Sequence, residues 1–172
     1  MTWMRPLRPA LILLAALAVA GCANRSANSG AGVGAAPPVA AVPADPAADP
    51  ASPAYFRQTV GDRVLFEVDQ FTLTAASRSV LDGQAAWLLR NADYTAVIEG
   101  HADEQGTREY NLALGSRRAN AVREYLVSQG VPSARLQTVT FGKERPIEIC
   151  SEEACYRQNR RAVTVIAAGA IG

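Results

Sequence analysis

Apolar and polar positions follow two rhythms from residue 58 onward. Val64, Phe66 and Val68 recur at every second residue, which predicts a strand over 64–68 with those side chains on one face. Thr74 is placed to cap a helix running to about Asn91, with Leu81, Ala85 and Leu88 as its apolar stripe. A second strand is predicted over 95–99, followed by a polar loop, Gly100–Gly106, and by Thr107 as the N-cap of a second helix. That helix reaches about Gln129. Its stripe is Leu112, Gly115, Ala119, Val122 and Leu126, and the small Gly115 and Ala119 let it lie close to a sheet. Gly130 and Pro132 stop it, and further strands are predicted over 137–141 and 162–167. Two helices interleaved among four short strands predict an α/β (α+β) sandwich: one four-stranded mixed sheet with two main helices packed on one face. Trp87, on the flank of the first stripe, fits either a core position or a partner surface.

The first 57 residues have a different texture. Arg5 and Arg8 precede an uninterrupted apolar run, Ala10–Ala20, which is too short to span a membrane and has the length of a signal-peptide core. Small residues then lead directly to a cysteine, Val19-Ala20-Gly21-Cys22. This looks like a lipobox, so residues 1–21 are expected to be a lipoprotein signal peptide and Cys22 the acylated N-terminus. Ala23 and Asn24 follow, and the absence of Asp there is the usual pattern for passage to the outer membrane. Residues 22–57 are rich in Ala, Gly, Ser and Pro, with prolines at 37, 38, 43, 46, 50 and 53, and form the expected disordered tether. Its coil span is on the order of 30 Å. Residues 58–168 are the expected folded domain, long enough for one core.

Charge excludes one class of partner. The formal net charge is +1, and removing residues 1–21 takes away Arg5 and Arg8, leaving 15 bases against 16 acids. Nothing in that balance points to nucleic acid.

The candidate chemistry lies in GHADEQGTREYNLALGSRRAN, residues 100–120. Asp103 sits in the loop before a helix N-terminus, where backbone N–H groups favour an anion. Asn111, Leu114 and Arg118 share one helix face, which borders the buried stripe. Spacing leaves two readings open. Asp103 and Arg118 form an internal salt bridge, or they hold a small zwitterion, its ammonium at Asp103 and its carboxylate on Arg118.

The stretches VLFEVDQFTL, IEGHADEQGTREYNLALGSRRANAV, TVTFGKERP and QNRRAV resemble the OmpA-like peptidoglycan-binding domain family over about Val64–Ile166. With the lipobox and tether, the chain is similar to the family's lipid-anchored members of the Tol–Pal system. The resemblance implies non-covalent binding of the diaminopimelate stem peptide of peptidoglycan. It implies Asp103 and Arg118 as the grip on the free end of diaminopimelate, contacts from Val68, Asp69 and Leu114, and Asn111 as the residue ordering the loop. It also implies TolB and other Tol proteins as partners, and a place at the outer membrane with the folded domain in the periplasm. The function it implies is the tie between outer membrane and wall during cell division. No catalytic residue, metal or cofactor is implied.

Two positions depart from the family pattern. Glu67 and Val68 stand where the motif carries another acid or a small residue and an aromatic. Cys150 and Cys155 stand where it lacks cysteines, and in an oxidising periplasm they are expected as a disulfide, worth about 2 kcal/mol for so short a loop. Two free buried thiols are the alternative. A zinc site is short of ligands, with two sulfurs and the chain's one His. Asn159-Arg160-Arg161 is read as a brace along the sheet, and Glu104 and Arg108 as solvated or loop-ordering. His101 is read as a hydrogen-bonding loop residue, because no nucleophile with a base and no three-ligand metal set accompanies it. Two alternatives to a Tol–Pal lipoprotein are a wall-binding lipoprotein without Tol partners and a wall-active hydrolase.

Overall fold

The computed structural model describes residues 45–149 and 151–168, all within one compact unit. The expected signal peptide 1–21, Cys22, the tether up to residue 44, and Cys150 lie outside them. The strands are β1 (Arg63–Leu65), β2 (Tyr94–His101), β3 (Leu136–Gly142) and β4 (Arg161–Ala168), in the sheet order β1-β4-β2-β3. β4 runs antiparallel to both its neighbours, whereas β2 and β3 are parallel. The helices are α1 (Pro53–Tyr55), α2 (Ala75–Arg90), α3 (Arg108–Ser128) and α4 (Glu153–Asn159). A parallel pair needs a crossover, and α3 supplies it between β2 and β3.

Local chemistry accounts for the two long helices. Thr74 Oγ1 accepts from Ser77 N at 3.1 Å and Thr107 Oγ1 from Tyr110 N at 3.2 Å, so both predicted N-caps close the first turn. Leu81, Ala85 and Leu88 of α2 and Ala119, Val122 and Leu126 of α3 are buried against Val64, Phe66, Ala96, Ile98, Leu136 and Ala162. The buried face of α3 is wider at its N-terminal half than the predicted stripe. Asn111, Leu114 and Arg118 are all buried there, and Leu112 is only half-buried. The cause is the β1–α2 loop, whose backbone lies over this end of the helix. α3 and β2 touch through backbone. A Cβ on Gly100 would stand 1.9 Å from the carbonyl oxygen of Gly115, and a Cβ on Gly115 would stand 2.8 Å from that of Gly100.

Two expectations are corrected. The tether does not extend to residue 57. Asp45 caps a 3-10 turn, Pro46–Ala48, Ser52 caps α1, and a π-helical turn, Phe56–Gly61, follows. Phe56 is fully buried with its ring 4.9 Å from that of Trp87, and Trp87 Nε1 donates to Pro50 O at 2.8 Å. A composition dominated by small residues conceals the side chains that hold the segment, Phe56 in the core with Tyr55 and Val60 packed against it. Trp87 is thereby a core residue. The second correction concerns the first strand, which ends at Leu65: Val68 is 53% exposed, and Asp69 turns the chain at φ 56°.

Arg135 joins the end of α2 to the start of β2. Its guanidinium donates to the carbonyls of Leu88 (3.0 Å), Asn91 (2.8 Å) and Tyr94 (2.8 Å and 2.6 Å), supplying a cation and donors to a helix C-terminus.

Candidate functional site

Three segments meet around a cleft of about 210 Å³. The β1–α2 loop contributes Val68 and Asp69. The β2–α3 loop contributes Asp103, Gln105 and Gly106, and α3 contributes Tyr110, Asn111 and Leu114. Asp69 is the one non-glycine residue with positive φ among the described residues, a conformation that a short polar side chain tolerates. Its carboxylate accepts from the Tyr110 hydroxyl, which ties its loop to α3. Asn111 Nδ2 donates to Gln105 O at 2.6 Å and Lys143 Nζ to Gly106 O at 2.7 Å, so the β2–α3 loop is held from both sides. Val68, Asp69, Asp103, Asn111 and Leu114 are thus brought together. Arg118 does not line the cleft.

Asp103 and Arg118 are not bonded to each other. Asp103 is buried, with Oδ2 accepting from Arg160 Nη1 at 3.2 Å and Oδ1 from Gln105 N at 3.3 Å. Arg160 also donates to Phe66 O at 3.2 Å and pairs with Glu153. Burial lowers the pKa of Arg160, but the hydrogen bonds and charges of Glu153 and Asp103 raise it further, so it stays a firm cation. Arg118 is fully buried and spends its donors on backbone. Nε donates to Gln70 O at 2.8 Å, Nη1 to His101 O at 2.8 Å and Nη2 to Glu67 O at 3.2 Å, over the Phe66 ring at 5.2 Å. Burial pulls its pKa down to about 10, against the opposing charge of Asp103, and it is cationic at neutral pH. The salt-bridge reading therefore fails at the level of contact. Arg160, 57 positions away from Asp103 in the chain, takes the partner role. Tyr110, Gln105 and Gly106 are site residues that the sequence does not announce, because a hydroxyl, an amide and a glycine in a polar loop carry no pattern of their own.

The brace reading of Asn159-Arg160-Arg161 agrees with the structure. Asn159 Oδ1 accepts from Ile147 N and Glu148 N at 2.9 and 3.2 Å, and its Nδ2 returns a bond to Glu148 O at 2.8 Å. Arg161 Nη2 donates to Arg145 O at 3.1 Å. Arg108 pairs with Glu144 at 3.2 Å on the surface, and Glu104 is exposed. Cys155, on α4, is disulfide-bonded. No cluster of three metal-ligating side chains occurs among the described residues.

His101 differs from its expectation. Neither ring nitrogen has a hydrogen-bond partner among the described residues, and the ring is 1% exposed against Phe141. Burial first, then the charges of Arg161 and Arg145, push its pKa down to about 4, so the ring is neutral and its 3.5 Å approach to Glu99 is not an ion pair at neutral pH. The folded pKa lies below the ordinary 6.5, so the unfolded chain binds the proton first. Stability is therefore full above pH 6.5 and is lost as pH falls from 6.5 towards 4. Melting curves across that range should fall for the parent protein and fall less steeply for His101→Gln. Parallel slopes for the two would show that the acid loss comes from other groups.

The chain matches the OmpA family over residues 65–161. It is 48% identical to the peptidoglycan-associated lipoprotein of Rhizobium meliloti, across 91% of this chain and 85% of that one. It is 46% identical to the protein of the same name from Brucella melitensis, across 91% and 90%. The crystal structure of the peptidoglycan-associated lipoprotein from Burkholderia pseudomallei superposes with a TM-score of 0.63 at 38% identity, covering 72% of this chain and all of that one. The matches in sequence and in fold agree, and the chain belongs to the OmpA family, among its peptidoglycan-associated lipoproteins.

Proposed function

We propose that this protein is an outer-membrane lipoprotein that holds the diaminopimelate stem peptide of peptidoglycan non-covalently. In this reading it ties the membrane to the wall during cell division as part of the Tol–Pal system, with TolB among its partners. Cys22 carries the lipid, and multiple acyl chains anchor firmly where one holds only marginally. The observation that carries the reading is the gathering of Val68, Asp69, Asp103, Asn111 and Leu114 around one cleft. Two carboxylates there suit an ammonium group, and Leu114 and Val68 suit the methylenes of a diamino acid. Asp103 is held in place by Arg160 and Gln105 N before any ligand arrives, so little ordering is left for binding to supply. Arg118 supplies the cation for a ligand carboxylate. Three of its five N–H groups are committed to carbonyls, so a bidentate grip requires the Glu67–Gln70 turn to yield. The function is to hold, and the site makes and breaks no covalent bond.

Calorimetry with a diaminopimelate stem peptide tests the cleft. Asp103→Asn keeps the shape and removes the charge, and should weaken binding about ten- to a hundredfold, the range for a hydrogen bond to a charged group. Unchanged affinity in a variant that still melts cooperatively would sink the assignment. Crosslinking to TolB separates a Tol–Pal member from a wall-binding lipoprotein that lacks Tol partners.

A further inference from the structure

Next to the cleft lies a second cavity, of about 440 Å³, lined by Glu67, Glu153, Ala154, Arg157 and Arg160. The two spaces are neighbours at two places. The Asp103–Arg160 ion pair has its acid in the cleft and its base in the cavity. Glu67 lines the cavity and the next residue, Val68, lines the cleft. The cavity's charges are not equivalent. Arg160 is buried and already shared between Asp103 and Glu153, and Glu153 is held ionised by that bond. Arg157, one turn of α4 beyond Glu153, is exposed and makes no hydrogen bond or ion pair within the described residues, with Glu67 included among the groups it does not reach. An acid-lined cleft therefore adjoins a cavity that presents a guanidinium with no hydrogen bond or ion pair of its own among the described residues, acting on Glu153 only through its charge.

We propose that this cavity is a second subsite for the ligand of the cleft, with Arg157 receiving a carboxylate carried by the residue next to the bound diamino acid. The inference rests on the stem-peptide reading above and extends it. The ligand class it names is a peptide bearing an ammonium-terminated side chain and a free carboxylate one residue away. A stem peptide whose glutamate carries a free α-carboxyl meets that description, and the same peptide with that carboxyl amidated does not. Arg157 is exposed, so its contribution is screened and modest, about three- to tenfold in affinity.

The experiment is calorimetry of the full-length protein with the two peptides, repeated for Arg157→Gln and Asp103→Asn, with melting temperatures recorded for each. The expected result is a three- to tenfold preference of the parent for the free carboxyl. Arg157→Gln should abolish that preference while binding the amidated peptide as the parent does. Asp103→Asn should weaken both peptides alike and leave the preference in place. Equal binding of the two peptides by the parent, or a preference that survives in Arg157→Gln, overturns the second subsite and leaves the cleft intact. Binding of neither peptide by the parent overturns the cleft reading and the subsite with it.

Discussion

Gly100→Ala should be the most damaging single methyl group that can be added to this protein. The new Cβ would stand 1.9 Å from Gly115 O, 2.6 Å from Gly115 C and 3.2 Å from Ala119 Cβ. The first two are backbone atoms inside α3, so no rotamer change relieves the clash, and the helix must lift from β2. Overpacking of a core usually costs 1–3 kcal/mol; a clash against fixed backbone belongs above that range, at about 4 kcal/mol. For a domain of this size the melting temperature should fall on the order of 20 °C. Gly83→Ala is the control. It lies inside α2, and its Cβ would meet only Val60 Cγ1, at 3.5 Å, an ordinary contact. That substitution should stabilise by about 0.5–1 kcal/mol, because glycine in a helix interior is unfavourable relative to alanine. Thermal denaturation reads both. A Gly100→Ala protein melting within a few degrees of the parent would show that strand and helix can part cheaply.

The second large effect is expected at Arg118. Arg118→Leu removes the donors of Glu67 O, Gln70 O and His101 O together and should cost about 4 kcal/mol, a few kcal/mol being typical when buried acceptors lose their partners. Arg118→Lys keeps the charge, but one ammonium cannot reproduce a planar fork spanning two segments, so about half of the loss should persist. The local readout is hydrogen exchange. Amides of the β1–α2 loop should exchange faster in both variants while those of the sheet in Arg118→Lys stay protected. Unaltered exchange in that loop, with stability within about 0.5 kcal/mol of the parent in Arg118→Lys, would remove the brace. A ligand-binding arginine on an open surface would show the opposite profile, with affinity lost and folding untouched.

Much of the fold was legible because its signals are local. Thr74 and Thr107 each bond within one turn, and the stripes Leu81-Ala85-Leu88 and Ala119-Val122-Leu126 face the sheet as their spacing requires. Failures of the sequence reading occur where a distant group decides. Val68 continues the alternation of Val64 and Phe66, yet the strand ends earlier, because Arg118 and Arg160 capture the carbonyls of Glu67 and Phe66 for another purpose. Phe56 lies in a short stretch, Tyr55-Phe56-Arg57-Gln58, with no repeating apolar spacing, so no periodicity marks it as core. The site shows the same division. Asn111 is six residues from Gln105, the loop residue that it holds, and its role follows from a helix adjoining a turn. The partner of Asp103 lies on the far side of α3 and β3 in the chain, and no spacing rule links an acid in one loop to an arginine before the last strand.

The order of the strands in the sheet has a consequence for how the chain comes to function. The last of the four strands in the chain, β4, lies between β1 and β2, so β1 has no neighbour in the sheet until β4 is present. Contacts of such long sequence separation close late and slow the search for the native state. The local unit β2-α3-β3 can form earlier, since its parallel pairing needs only its own crossover. Arg160, which fixes Asp103, sits at the threshold of that last strand, and the turn bearing Val68 and Asp69 follows the strand that waits for it. The geometry of the cleft is thereby coupled to the arrival of β4. A nascent or clipped molecule that stops short of Arg160 would lack the buried counter-ion that steadies Asp103 in its cleft.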